Sequence, residues 1–100
     1  MTRRLIIRES VEAEITEAAF WYQNQSAGLG EEFLGEVNAS IRRVIENPLA
    51  FRRLRRRPEV RRAITNRFPY RIFFILRPDA IAVFCVLHGA RHEREWKKNL

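Results

Sequence analysis

Arg62, Arg71, His88 and Arg91, all in the second half of the chain, are the residues whose types and spacing could do chemistry. Arginines stabilise the extra negative charge of a pentavalent phosphorane, and a histidine can pass a proton near neutral pH. Arginine itself stays protonated and is a poor acid or base. A phosphodiester cleaved here would therefore depend on His88 alone. The plain alternative, which the residues favour, is that these charges pair with Glu93, Glu95 or the carboxylates of a partner. Other chemistries are not legible: there is no phosphate-binding glycine loop and no Ser-His-Asp or Cys-His set. His88 and His92 lie four apart, with Gly89 between them and no third ligand, so neither a metal nor a cofactor is expected. Cys85 lies in an apolar run and reads as a small buried hydrophobe.

The elements that position these residues centre on FPYRIFFILRPDAIAVFCVLHGAR, residues 68–91. Runs rich in Ile, Val, Phe and Tyr flank Pro78-Asp79, which predicts two adjacent strands, Tyr70 to Arg77 and Ala80 to His88, joined by a turn. Pairing Arg77 with Ala80 sets a register. Because strand side chains alternate, Tyr70, Ile72, Phe74, Leu76, Ile81, Val83, Cys85 and Leu87 should share the core face. The other face should carry Arg71, Phe73, Ile75, Ala82, Phe84, Val86 and His88, with Arg71 diagonal to His88. That mixed face is expected to be partly open and to wait for a partner. Phe33, Val37, Ile41, Ile72, Phe74, Val83 and Cys85 are expected to be buried together.

Earlier in the chain, RRLIIR (residues 3–8) predicts a short strand beside Ala80–His88. Ser10 offers a helix N-cap, and Val11, Ile15, Ala18, Ala19 and Tyr22 recur at helical spacing, predicting a helix over 11–24. Gln25-Ser26-Ala27-Gly28 breaks it. Leu29, Phe33, Val37, Ile41 and Ile45 then repeat every four residues, with Leu34 and Val44 widening the stripe, until Asn47-Pro48 stops the second helix. Residues 49–58 read as an Arg-rich connection anchored by Leu49, Phe51 and Leu54. Residues 59–67 read as a third strand, with Arg62, Ile64 and Asn66 on the face of Arg71. Trp96 is expected to anchor the tail. The fold class is α+β, a two-helix antiparallel hairpin packed on one face of a small antiparallel sheet in the order β-α-α-β-β-β. Residues 1–100 are expected to form a single domain.

The net charge is +7, and its distribution says more than its sum. Residues 9–46 carry eight Glu against two Arg, whereas residues 52–100 carry fourteen basic residues against four acids. Seventeen of the nineteen basic residues are arginine, which favours bidentate recognition of carboxylate or phosphate. The basic half predicts an anionic partner, nucleic acid or an acidic protein segment. With no apolar run near the ~20 residues that span a membrane, a lone cysteine and no leader pattern, a soluble cytoplasmic chain is expected.

The element order, the FPYRIFF strand, the IAVFCVLHGAR strand and the basic EREWKK end together resemble the RelE/ParE superfamily of type II toxin–antitoxin toxins. The resemblance spans nearly the whole chain. It implies a small bacterial toxin of a plasmid-stabilising module, co-encoded with an antitoxin whose acidic, apolar C-terminal segment folds onto it. Arg62, Arg71, Phe73, Ile75, Phe84, Val86, His88, Arg91 and Trp96 would be the contact residues. RelE-like members are ribosome-dependent mRNA endonucleases. Arg71, Arg91 and Arg62 match basic positions of theirs, but the second strand lysine falls at Ile64, and the C-terminal tyrosine falls at Trp96 or Lys97. ParE-like members act on DNA gyrase and commonly end with an H-G-x-R turn and a nearby Trp, which His88, Gly89, Arg91 and Trp96 resemble. The resemblance therefore implies a ParE-like gyrase inhibitor without phosphodiester chemistry. The alternatives are a RelE-like endonuclease using Arg62, Arg71, His88 and Arg91, or an inactive toxin fold that only binds its antitoxin.

Overall fold

The computed structural model describes residues 3–89. Among them are β1 (Arg4–Ile7), α1 (Glu9–Gln25), α2 (Leu29–Glu46), a 3-10 turn (Pro48–Ala50), β2 (Arg52–Arg53), β3 (Val60–Ile64), β4 (Tyr70–Leu76) and β5 (Ala80–His88). The strands form one sheet in the order β1-β5-β4-β3-β2. Neighbours are antiparallel except for β1, which runs parallel to β5. β1 does close the sheet beside β5, and the helix hairpin carries the chain from it to the opposite edge. The two-residue β2 is an addition to the expected order, drawn from the Arg-rich connection.

Helix α1 starts earlier than Ser10 predicts. The Arg8 amide donates to the Val83 carbonyl at 3.3 Å, and the Arg8 carbonyl accepts from Val11 and Glu12. Tying Arg8 to β5 forces the helix to begin at Glu9, so Ser10 lies inside it and no side chain caps the terminus. Glu9 and Glu12 in the first turn offset the helix dipole instead. Gly28 takes a φ of 87° between the helices, the left-handed geometry that glycine adopts without a Cβ clash. Gly30 has a different task. A Cβ there would lie 2.6 Å from the Ala19 carbonyl oxygen, so the missing side chain is what lets α2 approach α1.

The buried residues of α2 are Gly30, Phe33, Val37, Ser40, Ile41 and Val44. A strict four-residue repeat advances about 40° per step around a 3.6-residue helix. The expected stripe therefore spirals off the core, and Ile45 and Leu34 emerge on the surface while Val44 and Ser40 go inside. Phe33, Val37, Ile41, Ile72, Phe74, Ile81, Val83 and Val86 form the core between helices and sheet, as most of that expectation required. Tilted and edge-to-face ring contacts close one end. Phe33 lies 5.0 Å from Tyr22, 5.4 Å from Phe68 and 5.0 Å from Tyr70. The adjacent β3–β4 turn is held by α2, because Glu36 accepts the amides of Asn66 and Arg67 at 2.6 and 3.1 Å. Glu32 pairs with the Arg67 guanidinium.

Register decides the rest. Pairing begins as expected, with Leu76 opposite Ile81 and Phe74 opposite Val83, but Phe73 then faces Cys85, one residue further along. β5 thus carries a bulge at Phe84, and everything beyond it changes face. Cys85 and Leu87 leave the helix side and join Val60, Phe73 and Phe84 in a second cluster, with Leu54 and Ile75 packed against it. Val86 moves to the helix side. Cys85 is buried as expected, although in the other cluster.

Candidate functional site

The second sheet face holds most of the residues expected to meet a partner, yet it is not the open surface anticipated. Phe73 and Phe84 are buried there, as is Val86 on the opposite face, and Ile75 is half-buried. Two features account for this. The bulge sets Phe84 and Cys85 side by side against Phe73, and the Leu54 amide bonds to the Val60 carbonyl at 2.9 Å, folding the Arg-rich segment back so that Leu54 packs on the cluster.

The arginines fare differently. Arg62 sits opposite Phe73 and Ile64 sits opposite Arg71, so Arg62 and Arg71 share this face as diagonal neighbours, a separation of about 7–8 Å between Cα positions. Both are half-buried. Ile64 occupies the position beside Arg71 and is exposed, and it brings no charge. His88 is the correction with the greatest chemical consequence. Without the bulge it would stand diagonal to Arg71 on the same face. With it, His88 pairs with Tyr70 on the helix side, its ring 5.2 Å from the Tyr70 ring in an edge-to-face contact. Arg71 still reaches that residue, but through the His88 carbonyl, which accepts from Nη2 at 3.4 Å. The expected proton carrier and the two arginines therefore lie on opposite sides of the sheet. Arg91 and Trp96 lie outside the described residues.

Tyr70 is the strongly perturbed acid near this end of the sheet. Burial, followed by the neighbouring Tyr22, pushes its phenol from 10.0 up to about 12. A raised pKa in the folded chain means that the folded state holds its proton while the unfolded state releases it. Stability from this source is complete below pH 10.0 and is lost as pH rises towards about 12. A pH series of urea melts should show that loss for the wild type and a shallower one for Tyr70→Phe. Equal slopes would show that Tyr70 does not govern the alkaline limb.

Two surface features take their form only from the fold. Phe20 and Trp21 on α1 are 67% and 59% exposed, lying off the apolar stripe where periodicity gives them no task. The second is a ladder of arginines at the sheet edge, where Arg52 faces Arg62 and Arg53 faces Arg61. Spacing alone places these residues in a connection. No group of three or more acidic, His or Cys side chains able to hold a metal occurs among the described residues. No helix among them is long and apolar enough to cross a membrane.

The described residues thus form a helical hairpin over a small sheet, with arginines on the sheet's far face. A family model described as the ParE toxin of the type II toxin–antitoxin system parDE matches residues 5–93, and the chain belongs to that family. No curated protein matches the chain.

Proposed function

We propose that the chain inhibits DNA gyrase through protein–protein contact and is neutralised by a cognate antitoxin. Membership of the ParE family supports the toxin role. The observation that carries the choice of mechanism is the bulge in β5, which puts the His88 imidazole on the face opposite Arg62 and Arg71. Cleavage by attack of a 2′-hydroxyl wants one group to take a proton and another to give one. On the arginine face neither Ile64 nor the guanidinium groups can do either.

Purified toxin should block supercoiling by gyrase and leave ribosome-bound mRNA intact. His88→Ala should change gyrase inhibition by less than about threefold, the range of a surface substitution. Cleavage of mRNA in a translating extract, abolished by Arg71→Ala or His88→Ala, would give the function to the RelE-like alternative. The antitoxin follows from the surface. Phe20 and Trp21 leave apolar area bare, and arginines crowd the sheet, so an acidic segment with apolar anchors is the complement. Co-expression with such an antitoxin should raise the soluble yield several-fold.

A further inference from the structure

Residues 52–62 hold seven arginines, Arg52, Arg53, Arg55, Arg56, Arg57, Arg61 and Arg62, against the single acid Glu59. Arg57 pairs with Glu59 at 2.9 Å, and Arg61 donates to the Phe51 carbonyl at 2.8 Å. Arg52, Arg53, Arg55 and Arg56 are exposed. The register sets Arg52 directly across from Arg62 and Arg53 directly across from Arg61, and like charges placed opposite one another in an antiparallel ladder are destabilising. An edge strand needs a charge or two to deter pairing with other chains. Opposed arginine pairs on both faces exceed that need and fit a polyanion.

We propose that this edge, β2 with the loop that follows it, docks on the phosphate backbone of duplex DNA. Alternation puts Arg52 on one face of the sheet and Arg53 on the other. An edge laid along a groove meets phosphates on both walls, so both faces are used at once, whereas an acidic peptide would cover one. Residues 52–62 contain no aromatic side chain on which unpaired bases could stack, which disfavours single strands. The major groove of B-form DNA is about 12 Å wide and admits β-structure, whereas that of A-form RNA is too narrow for side chains to enter. Binding by this edge is indifferent to base sequence and does not depend on gyrase being the target.

The experiment is anisotropy of a fluorescein-labelled 24-base-pair DNA duplex titrated with the full chain over a range of salt. The triple variant Arg52→Gln, Arg53→Gln, Arg56→Gln is compared with Arg4→Gln, Arg42→Gln, Arg77→Gln, which removes the same charge at exposed positions elsewhere. The edge triple should weaken binding roughly a hundredfold at 0.1 M salt and flatten the log–log salt slope by about 2.7, at about 0.9 per phosphate contact. The control triple should weaken it less than about threefold. Replacing the same three edge arginines by lysine should keep the slope, a readout that holds if the glutamine variant fails to fold. Equal losses in the two glutamine triples would overturn the proposal. So would binding of polyglutamate, duplex RNA or single-stranded DNA as tightly as the DNA duplex. Loss of DNA binding with gyrase inhibition intact would separate this surface from the inhibitory one.

Discussion

Replacing Phe33 by alanine should remove a large share of the stability of the chain. Phe33 is fully buried and is the ring on which Tyr22, Phe68 and Tyr70 converge, each within 5.4 Å centroid to centroid. Those partners come from α1, from the β3–β4 turn and from β4, so one side chain joins three parts of the fold. Truncating a buried Phe costs about 3–5 kcal/mol, and aromatic pairs of this geometry add to the area lost. A domain of this size commonly has only about 5–15 kcal/mol in total. The urea midpoint should fall by about 1–5 M, given a slope of about 1–3 kcal/mol per molar. Cys85 provides a second reading, because it is buried in the other cluster and should react with a thiol reagent only once the sheet opens. An unchanged midpoint with Cys85 still protected would mean that the aromatic cluster does not hold the helices to the sheet.

Deleting Phe84 outright should cost no more than replacing it by alanine. The bulge makes this unusual outcome a requirement. In an unbroken strand, removing a residue moves every later side chain to the opposite face, which would expel Val86 from the helix-side core. In β5 the extra residue is Phe84 itself. Its removal leaves Val83 opposite Phe74 and Cys85 opposite Phe73, with Val86, Leu87 and His88 on the faces they already occupy. Both variants should therefore lose the buried phenyl ring, about 3–5 kcal/mol, and melt within a few degrees of one another. A deletion that fails to fold while Phe84→Ala folds would show β5 to be regular and would return His88 to the arginine face.

These two residues also mark how far the sequence could be read. Phe33 was legible as core because a helix repeats its environment locally: positions three and four apart share a face whatever the rest of the chain does. The same holds for Val37, Ile41 and Val44, for the glycine break between the helices and for the stop at Asn47-Pro48. The strands β4 and β5 were legible from their β-branched and aromatic runs, and the turn at Pro78-Asp79 starts the register where it was expected, with the Arg77 amide bonded to the Ala80 carbonyl at 2.8 Å. Local pattern also carried the resemblance to the toxin superfamily, which the family match upholds.

What the sequence by itself determined is thus the set of elements, their order and the acidic and basic halves, because each depends on residues near one another in the chain. Only the tertiary structure decided the assignment of residues to faces beyond Phe84. Apolar residues occupy both sides of β5, so an alternating pattern with one residue inserted is as apolar as one without, and nothing local shows where the ladder slips. The slip is settled by long-range fit. Phe84 and Cys85 cluster with Phe73, Val60 and Leu54, while Val86 stands beside Ile72 in the core that the helices cover. The same fit draws Arg52 and Arg53 into a strand, because Leu54 must lie over that cluster and its amide must find the Val60 carbonyl. Whether His88 stands with the arginines or behind them, on which the chemistry of this surface turns, follows from that packing.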